Sequence, residues 1–525
     1  MVHQFPTELI ENIGLHLDQS GRSNFASTCR HISIIMIPML YRAISIDASK
    51  KIYSNEVVDP FTIPIDNTSL LVHPSCISNI YALKLFLKNL IKNPHYARYI
   101  TKIVFKHHIP DIGEFQLIQY LNKIIPNMIA LKSFAWFNCN YNIDWSIITK
   151  VPRYGLLVEL DGNFNLNEKS RFANIRLLNI SNFKTTSNLS NVDLSHYPNL
   201  KFLVISKTPS PSNKFLQIPE HSSSTTPDDI DCISKLFQGS LLLNLESLTL
   251  KDIHLRPSDS KLLINSINSS TLKDLSLINC HEVLFEDDQV IRRTPPNYTF
   301  LSDLSFPYLE TLNLKMTNEL NFNIPTLTFM SRFKNLQRLN LYLQYNRAEN
   351  INQNLAITLE SIPNNKLTFL DLKLDLPDSL LKFKAFDYNI DALRKLSNFK
   401  KLTYLSLQIN QYQITNLFKL VEPLKELKCL KLNLDDSKLN KSKSPENSLI
   451  NAEVLQFNST LKSDNFYHFN NLARDFKSYL PKLKWVQFYN NCIEDYIFEC
   501  VDGHVQYREG ISKVFSFIIN QVLYT

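Results

Sequence analysis

The chain has 525 residues, of which 44% are hydrophobic and 20% charged, and its formal net charge is +7. That composition belongs to a folded protein, and so slight a basic excess argues against a nucleic-acid binder built on one cationic face. Only 8 glycines occur, with no Gly-x-Gly-x-x-Gly and no Gly-x-x-x-x-Gly-Lys stretch, which removes the two common phosphate cradles.

Residues 5–44 predict three short helices. Pro6 suits the first turn of a helix, where its missing N–H costs nothing, and Leu9, Ile10, Ile13 and Leu17 then form one apolar stripe. Phe25, Ala26 and Cys29 belong to a second helix, and Ile32–Ile37 to a third that Pro38 is expected to close. So short a segment does not bury such stripes unaided; a partner or the following chain must cover them. Residues 48–99 predict a linker with Pro60, Pro64 and Pro74, then an amphipathic helix over Ser78–Asn93 that packs on the first repeat.

From about residue 100 one frame recurs: apolar, two others, apolar, one other, apolar. It is clear in Leu245/Leu248/Leu250, Leu272/Leu275/Leu277, Leu309/Leu312/Leu314, Leu336/Leu339/Leu341, Leu367/Leu370/Leu372, Leu402/Leu405/Leu407 and Leu427/Leu430/Leu432. Looser copies are Ile100/Ile103/Phe105, Leu131/Phe134/Trp136, Ile175/Leu178/Ile180, Leu200/Leu203/Ile205, Ala452/Leu455/Phe457 and Leu483/Val486/Phe488, with a degenerate one near Leu157–Leu160. From Leu245 onward the starts are 25 to 37 residues apart. The last two apolar positions carry the period of a strand with one buried face, and helical stretches such as Glu114–Ile125 and Thr415–Val421 fall between copies. No unit buries its leucines alone, so neighbours must stack. The expected fold is an α/β repeat: a leucine-rich-repeat solenoid over 100–500, a curved parallel sheet with helices on the convex side, preceded by a small all-α segment at 1–47. Polar, proline-containing stretches at 207–229 and 438–447 read as flexible loops, and 501–525 as a C-terminal cap.

The N-terminal stretch resembles an F-box. The features that carry the resemblance are the opening Phe5-Pro6-x-Glu8-Leu9, the Leu17-Asp18 pair ahead of Cys29-Arg30, and the closing Leu40-Tyr41-Arg42. The repeats behind it are similar to the leucine-rich-repeat branch of that family. The resemblance implies docking onto a Skp-type adaptor and, through it, a cullin, with Phe5, Pro6, Leu9, Ile10, Ile13, Leu17, Phe25, Leu40 and Tyr41 forming or supporting the face. One departure is Arg22, where family members usually carry leucine; the lost apolar contact is expected to weaken adaptor binding.

Chemistry is scarce elsewhere. The 8 cysteines are dispersed without a Cys-x-x-Cys pair and read as free thiols. His107-His108 and Cys280-His281 lack further ligands at zinc-like spacing, so no metal, cofactor or catalytic residue is expected. Met1–Pro6 lacks the pattern of a signal peptide and no apolar run reaches the ~20 residues of a membrane helix, so a soluble protein of the cytoplasm or nucleus is expected. The outward strand positions assign a target-binding face to Arg338, Tyr342, Phe369, Lys373, Tyr404, Lys431, Trp485 and Tyr489, residue types favoured at protein interfaces. Earlier repeats present Phe137, Leu177, Phe202 and Val204 there, an apolar run that is either a groove or a covered surface. The expected role is the substrate-recognition subunit of an SCF-type ubiquitin ligase holding a protein target. An F-box scaffold outside ubiquitination and a plain repeat module for protein binding remain as alternatives, and nucleic acid is not the expected partner.

Overall fold

The computed structural model describes residues 6–46, 75–105, 114–136, 146–161, 171–183, 192–207, 232–237, 242–286, 289–292, 300, 303–316, 328–344, 351–363, 366–375, 390–410, 414–435, 466–490, 493–501 and 503–508. The chain divides into two compact units, Met1–Leu272 and Lys273–Thr525.

The first unit opens with helices α1 (Thr7–His16), α2 (Gln19–Thr28) and α3 (Arg30–Arg42). Asp18 starts α2 by accepting a hydrogen bond from the Gly21 N–H at 2.7 Å, as a short acceptor at a helix N-cap does. Ile10, Ile32 and Met36 form a small core, with Phe25, Ala26, Cys29, Ile35 and Met39 packed around it. Gly14 lets α1 close on α3, because a Cβ there would lie under 3 Å from Met36 and Met39. Contrary to expectation, Pro38 does not end the third helix, which continues to Arg42. The carbonyl that Pro38 leaves unbonded belongs to exposed Ile34, where solvent can satisfy it.

Parallel strands follow: β1 (Ala43–Ile46), β2 (Ser75–Ile77), β3 (Lys102–Phe105), β4 (Ser133–Trp136), β5 (Leu156–Asp161), β6 (Ile175–Phe183), β7 (Phe202–Lys207) and β8 (Ser247–Lys251). They pair in the order β2, β1, β3 and then on to β8, every pairing parallel. The sheet therefore starts earlier than the triplets imply, since β1 and β2 precede residue 100. The degenerate copy near Leu157–Leu160 is a strand of this sheet, β5. Helix α4 (Ile80–Lys92) is capped by Asn79, whose side chain accepts from the Ala82 N–H. It packs against α5 (Glu114–Ile124), the helix that follows β3.

A short strand β9 (His254–Leu255) and a helix at Asp259–Ser266 complete the described part of this unit. The second unit holds β10 (Asp274–Ile278), an antiparallel hairpin of β11 (His281–Glu286) and β12 (Gln289–Arg292), and then β13 (Thr311–Met316), β14 (Arg338–Gln344), β15 (Phe369–Asp375), β16 (Tyr404–Asn410), β17 (Cys429–Asp435) and β18 (Trp485–Asn490). Strands β10 and β13–β18 pair in parallel and in chain order. Antiparallel β19 (Ile493–Val501) and β20 (His504–Tyr507) end the sheet, turning at Gly503 with a φ of +81°, where glycine carries no Cβ penalty. Strand β17 pairs directly with β18; the triplet Ala452/Leu455/Phe457 lies outside the described residues. The loops read at 207–229 (beyond Lys207) and 438–447 also lie outside them, as does the cap beyond residue 508.

One hydrogen-bond device fixes the register of every parallel strand in the second unit. The carbonyl just before each strand accepts two consecutive N–H groups from the next repeat. Lys273 takes Glu310 and Thr311, Glu310 takes Gln337 and Arg338, Gln337 takes Thr368 and Phe369, and the series runs on to Lys428 with Lys484 and Trp485. The leucines consequently sit opposite one another, Leu275, Leu312, Leu339, Leu370, Leu405, Leu430 and Val486 in one row and Leu277, Leu314, Leu341, Leu372, Leu407, Leu432 and Phe488 in the next. All are buried.

The frame also extends backwards. Phe306, Phe333, Phe399, Leu424 and Leu480 each stand three residues before a repeat's first leucine, are buried, and accept that leucine's N–H through their carbonyls. Met128 and Tyr197 do the same in the first unit.

Candidate protein-docking surfaces

Two surfaces expected from the sequence are built by these elements: the outside of the N-terminal helices and the outer face of the second unit's sheet.

The helices divide the apolar stripe between inside and outside. Ile10 is buried in the small core, whereas Leu9 and Ile13, one turn apart on α1, are 43% and 39% exposed. Ile34 on α3 is 64% exposed. Pro6 is exposed, Leu17, Phe25 and Leu40 are half-buried, and Phe5 lies outside the described residues. Two of the residues expected to form or support the docking face make contacts within the molecule. Ile10 faces inward. Tyr41 is an internal tie: its ring lies 6.0 Å from Phe86 and 5.1 Å from Tyr96, and its hydroxyl accepts from Asn89 Nδ2 at 2.8 Å. Together with the Ser75 hydroxyl donating to the Leu40 carbonyl at 2.6 Å, this binds the end of α3 to β2 and α4.

Arg22, the departure from the family's pattern, takes part in the inside of the helical unit. It is not on a docking face; its side chain is 0% exposed. Its Nε donates to the Gly14 carbonyl at 2.7 Å and its Nη2 reaches the Leu15 carbonyl at 3.5 Å, at the C-terminal end of α1. A cation there meets the negative end of the helix dipole, and its Nε shares the Gly14 carbonyl with the Leu17 N–H. Burial lowers the guanidinium's pKa from its usual value, and the nearby Asp18 carboxylate opposes that shift.

On the second unit's sheet, strand register lines the outward side chains into rows. The first runs Asp274, Thr311, Arg338, Phe369, Tyr404, Cys429, Trp485. Here the Arg338 guanidinium lies 4.6 Å from the Phe369 ring centre, and Phe369 stacks flat on Tyr404 at 4.1 Å. The consequence is a further correction: Tyr404 and Trp485 are only 5% and 7% exposed, so they are not open contact residues. The middle row is polar. Asn340 donates to the Asn313 side chain, and Asn313 donates to the Ser276 hydroxyl at 2.7 Å. Asp371 continues the row beside Ser406 and Lys431, and burial holds its carboxyl above the usual range while Ser406, Lys431 and Lys373 oppose the shift. In the third row Lys315 and Lys373 flank the Tyr342 ring at 5.3 and 4.6 Å, and from the middle row Lys431 lies 5.7 Å from Tyr489. Arg338, Tyr342, Phe369, Lys373, Lys431 and Tyr489 are all half-buried, forming one strip of cations laid on rings.

The outer face of the first unit's sheet is not an open groove at its centre. Leu177 and Ala135 are buried, while Phe202 and Val204 are half-buried. The Arg176 guanidinium lies 5.3 Å from the Phe202 ring. Phe137, His107 and His108 lie outside the described residues, and Cys280 is buried with its thiol toward the Ile278 carbonyl. Among the described residues no three His, Cys, Asp or Glu side chains gather as a metal-holding group, and no helix is long and apolar enough to cross a membrane. In comparisons with models of known protein families and with curated proteins, no match to this chain was found.

Proposed function

We propose that this chain is a non-catalytic substrate receptor of an SCF-type ubiquitin ligase, an F-box followed by leucine-rich repeats. In this reading α1 presents Leu9 and Ile13 to a Skp-type adaptor, which brings the cullin. The cation-on-ring strip of the second unit, from Arg338 through Lys373 to Tyr489, receives the protein target. The observation that carries the reading is the divided stripe of α1: Ile10 and Gly14 close a small core while Leu9 and Ile13 remain exposed. Two neighbouring aliphatic side chains on a short helical unit are what a protein partner can cover. The strand–turn–helix units with their leucine rows are similar to leucine-rich repeats, and the Tyr41 tie fixes the helices to the start of the first unit's sheet.

The test is a pull-down of the full chain against a Leu9→Ala/Ile13→Ala variant. Both substitutions are on exposed side chains, so the fold survives them. The reading expects adaptor and cullin to be retained by the parent chain and lost together from the variant. Adaptor without cullin would move the function to a scaffold outside ubiquitination, and retention of neither would leave a plain repeat module.

A further inference from the structure

Helix α4 carries a second outward face that the proposed function does not use. Its residues Leu83, Leu87 and Leu90 are buried, and the helix packs against α5. On the opposite side Tyr81 and Leu85, one turn apart, are 79% and 69% exposed. Lys88 and Lys92 continue the same stripe one and two turns further on, both exposed, with half-buried Lys84 beside it. Residues 75–105 contain Lys84, Lys88, Lys92, Arg98 and Lys102 but no aspartate or glutamate. Among the described residues Lys84, Lys88 and Lys92 make no ion pair. The stripe is thus an apolar pair followed by lysines with no acidic partner among the described residues, roughly 16 Å long at the rise of an α-helix.

We propose that this stripe docks a protein segment that presents an apolar patch followed by carboxylates, the apolar part on Tyr81 and Leu85 and the acids on Lys88 and Lys92. A lipid surface fits it poorly, because interfacial helices bury a whole apolar face, and the apolar face of α4 already lies inside the molecule. Nucleic acid would use the lysines and leave Leu85 without a role. The proposal does not rest on the adaptor reading, since α1 contributes nothing to the stripe.

The test uses the full chain and a fluorescent helical peptide with two leucines one turn apart followed by two glutamates at the lysine spacing, read by anisotropy. Circular dichroism checks that each variant is folded. Binding is expected to weaken at least about tenfold, a change of ~1.4 kcal/mol, in Lys88→Glu/Lys92→Glu and again in Leu85→Ser. A peptide with lysines in place of the glutamates should then prefer the charge-reversed chain, and Leu9→Ala/Ile13→Ala should change nothing. Equal binding by parent and variants would overturn the proposal. So would binding of phosphatidylserine vesicles or duplex DNA that needs the lysines but not Leu85.

Discussion

Replacing Arg22 with leucine separates two accounts of the N-terminal helices. By resemblance, leucine at this position restores an apolar contact and should help an adaptor dock. By the structure, the substitution removes the buried guanidinium that bonds the Gly14 and Leu15 carbonyls and faces the end of α1. A hydrogen bond from a charged donor contributes about 1.5–3 kcal/mol, and a partly buried cation at a helix C-terminus up to about 2, two descriptions of largely the same interaction. Leucine regains part of that by burying its own apolar surface, but it donates no hydrogen bond, so a net loss of about 1–2 kcal/mol is expected. Hydrogen exchange over α1 is the appropriate assay because the loss is local. Amides of residues 7–16 should exchange roughly 5- to 30-fold faster in Arg22→Leu, with a smaller effect in Arg22→Lys, which keeps the charge but not the fork. Unchanged or slower exchange in Arg22→Leu would refute the argument.

Other expectations concern the sheet. Leu370→Ala empties a fully buried position in the leucine row and should cost about 2–5 kcal/mol in chemical unfolding of the second unit, whereas Gln at half-buried Lys373 should cost less than about 1. Burial pushes the Cys429 thiol up to about 12 and the Cys500 thiol to about 11. Maleimide labelling of the folded chain between about pH 7 and pH 9 should therefore leave both at background while half-buried Cys29 and Cys76 react. Asp371 has a carboxyl pKa raised by burial, so the folded state holds the proton more tightly than the unfolded one. Its effect on stability is absent below the unfolded pKa, grows as pH rises toward the folded pKa, and opposes folding above it. Asp371→Asn should thus be more stable than the parent at pH 7, with the gain shrinking on acidification; a gain that does not depend on pH contradicts that cause.

The repeat was legible because a residue pattern of three and two forces both a turn and a half-buried strand, and the leucines at those positions have no other place to go. Its start was not. Strand β1 offers only Ile44 and Ile46 and β2 only Ser75–Ile77, too short a signal to stand out from a linker; β1 is a strand because β3 gives it a neighbour to pair with, and β2 because β1 does. The buried residue three before each first leucine was present in the sequence as Phe306, Phe333 and Phe399 and passed unread, since a turn hides its period. On the site, exposure was the difficulty. Composition puts arginine outside and tyrosine on faces, yet Arg22 is inside, its guanidinium donating to carbonyls at the end of α1, and Tyr404 is covered because Phe369 lies flat against it. Pro38 misled for a related reason: one lost hydrogen bond ends a helix only where nothing else can take the freed carbonyl.

The most direct measurement is a calorimetric titration of purified Skp-type adaptor into the full chain and into Leu9→Ala/Ile13→Ala. Removing two partner-covered aliphatic side chains should weaken the complex about a hundredfold, from about 1–2 kcal/mol each, while unfolding of the variant stays within about 1 kcal/mol of the parent. An unchanged dissociation constant, or no adaptor binding by the parent chain, would contradict the assignment of α1 as the docking helix.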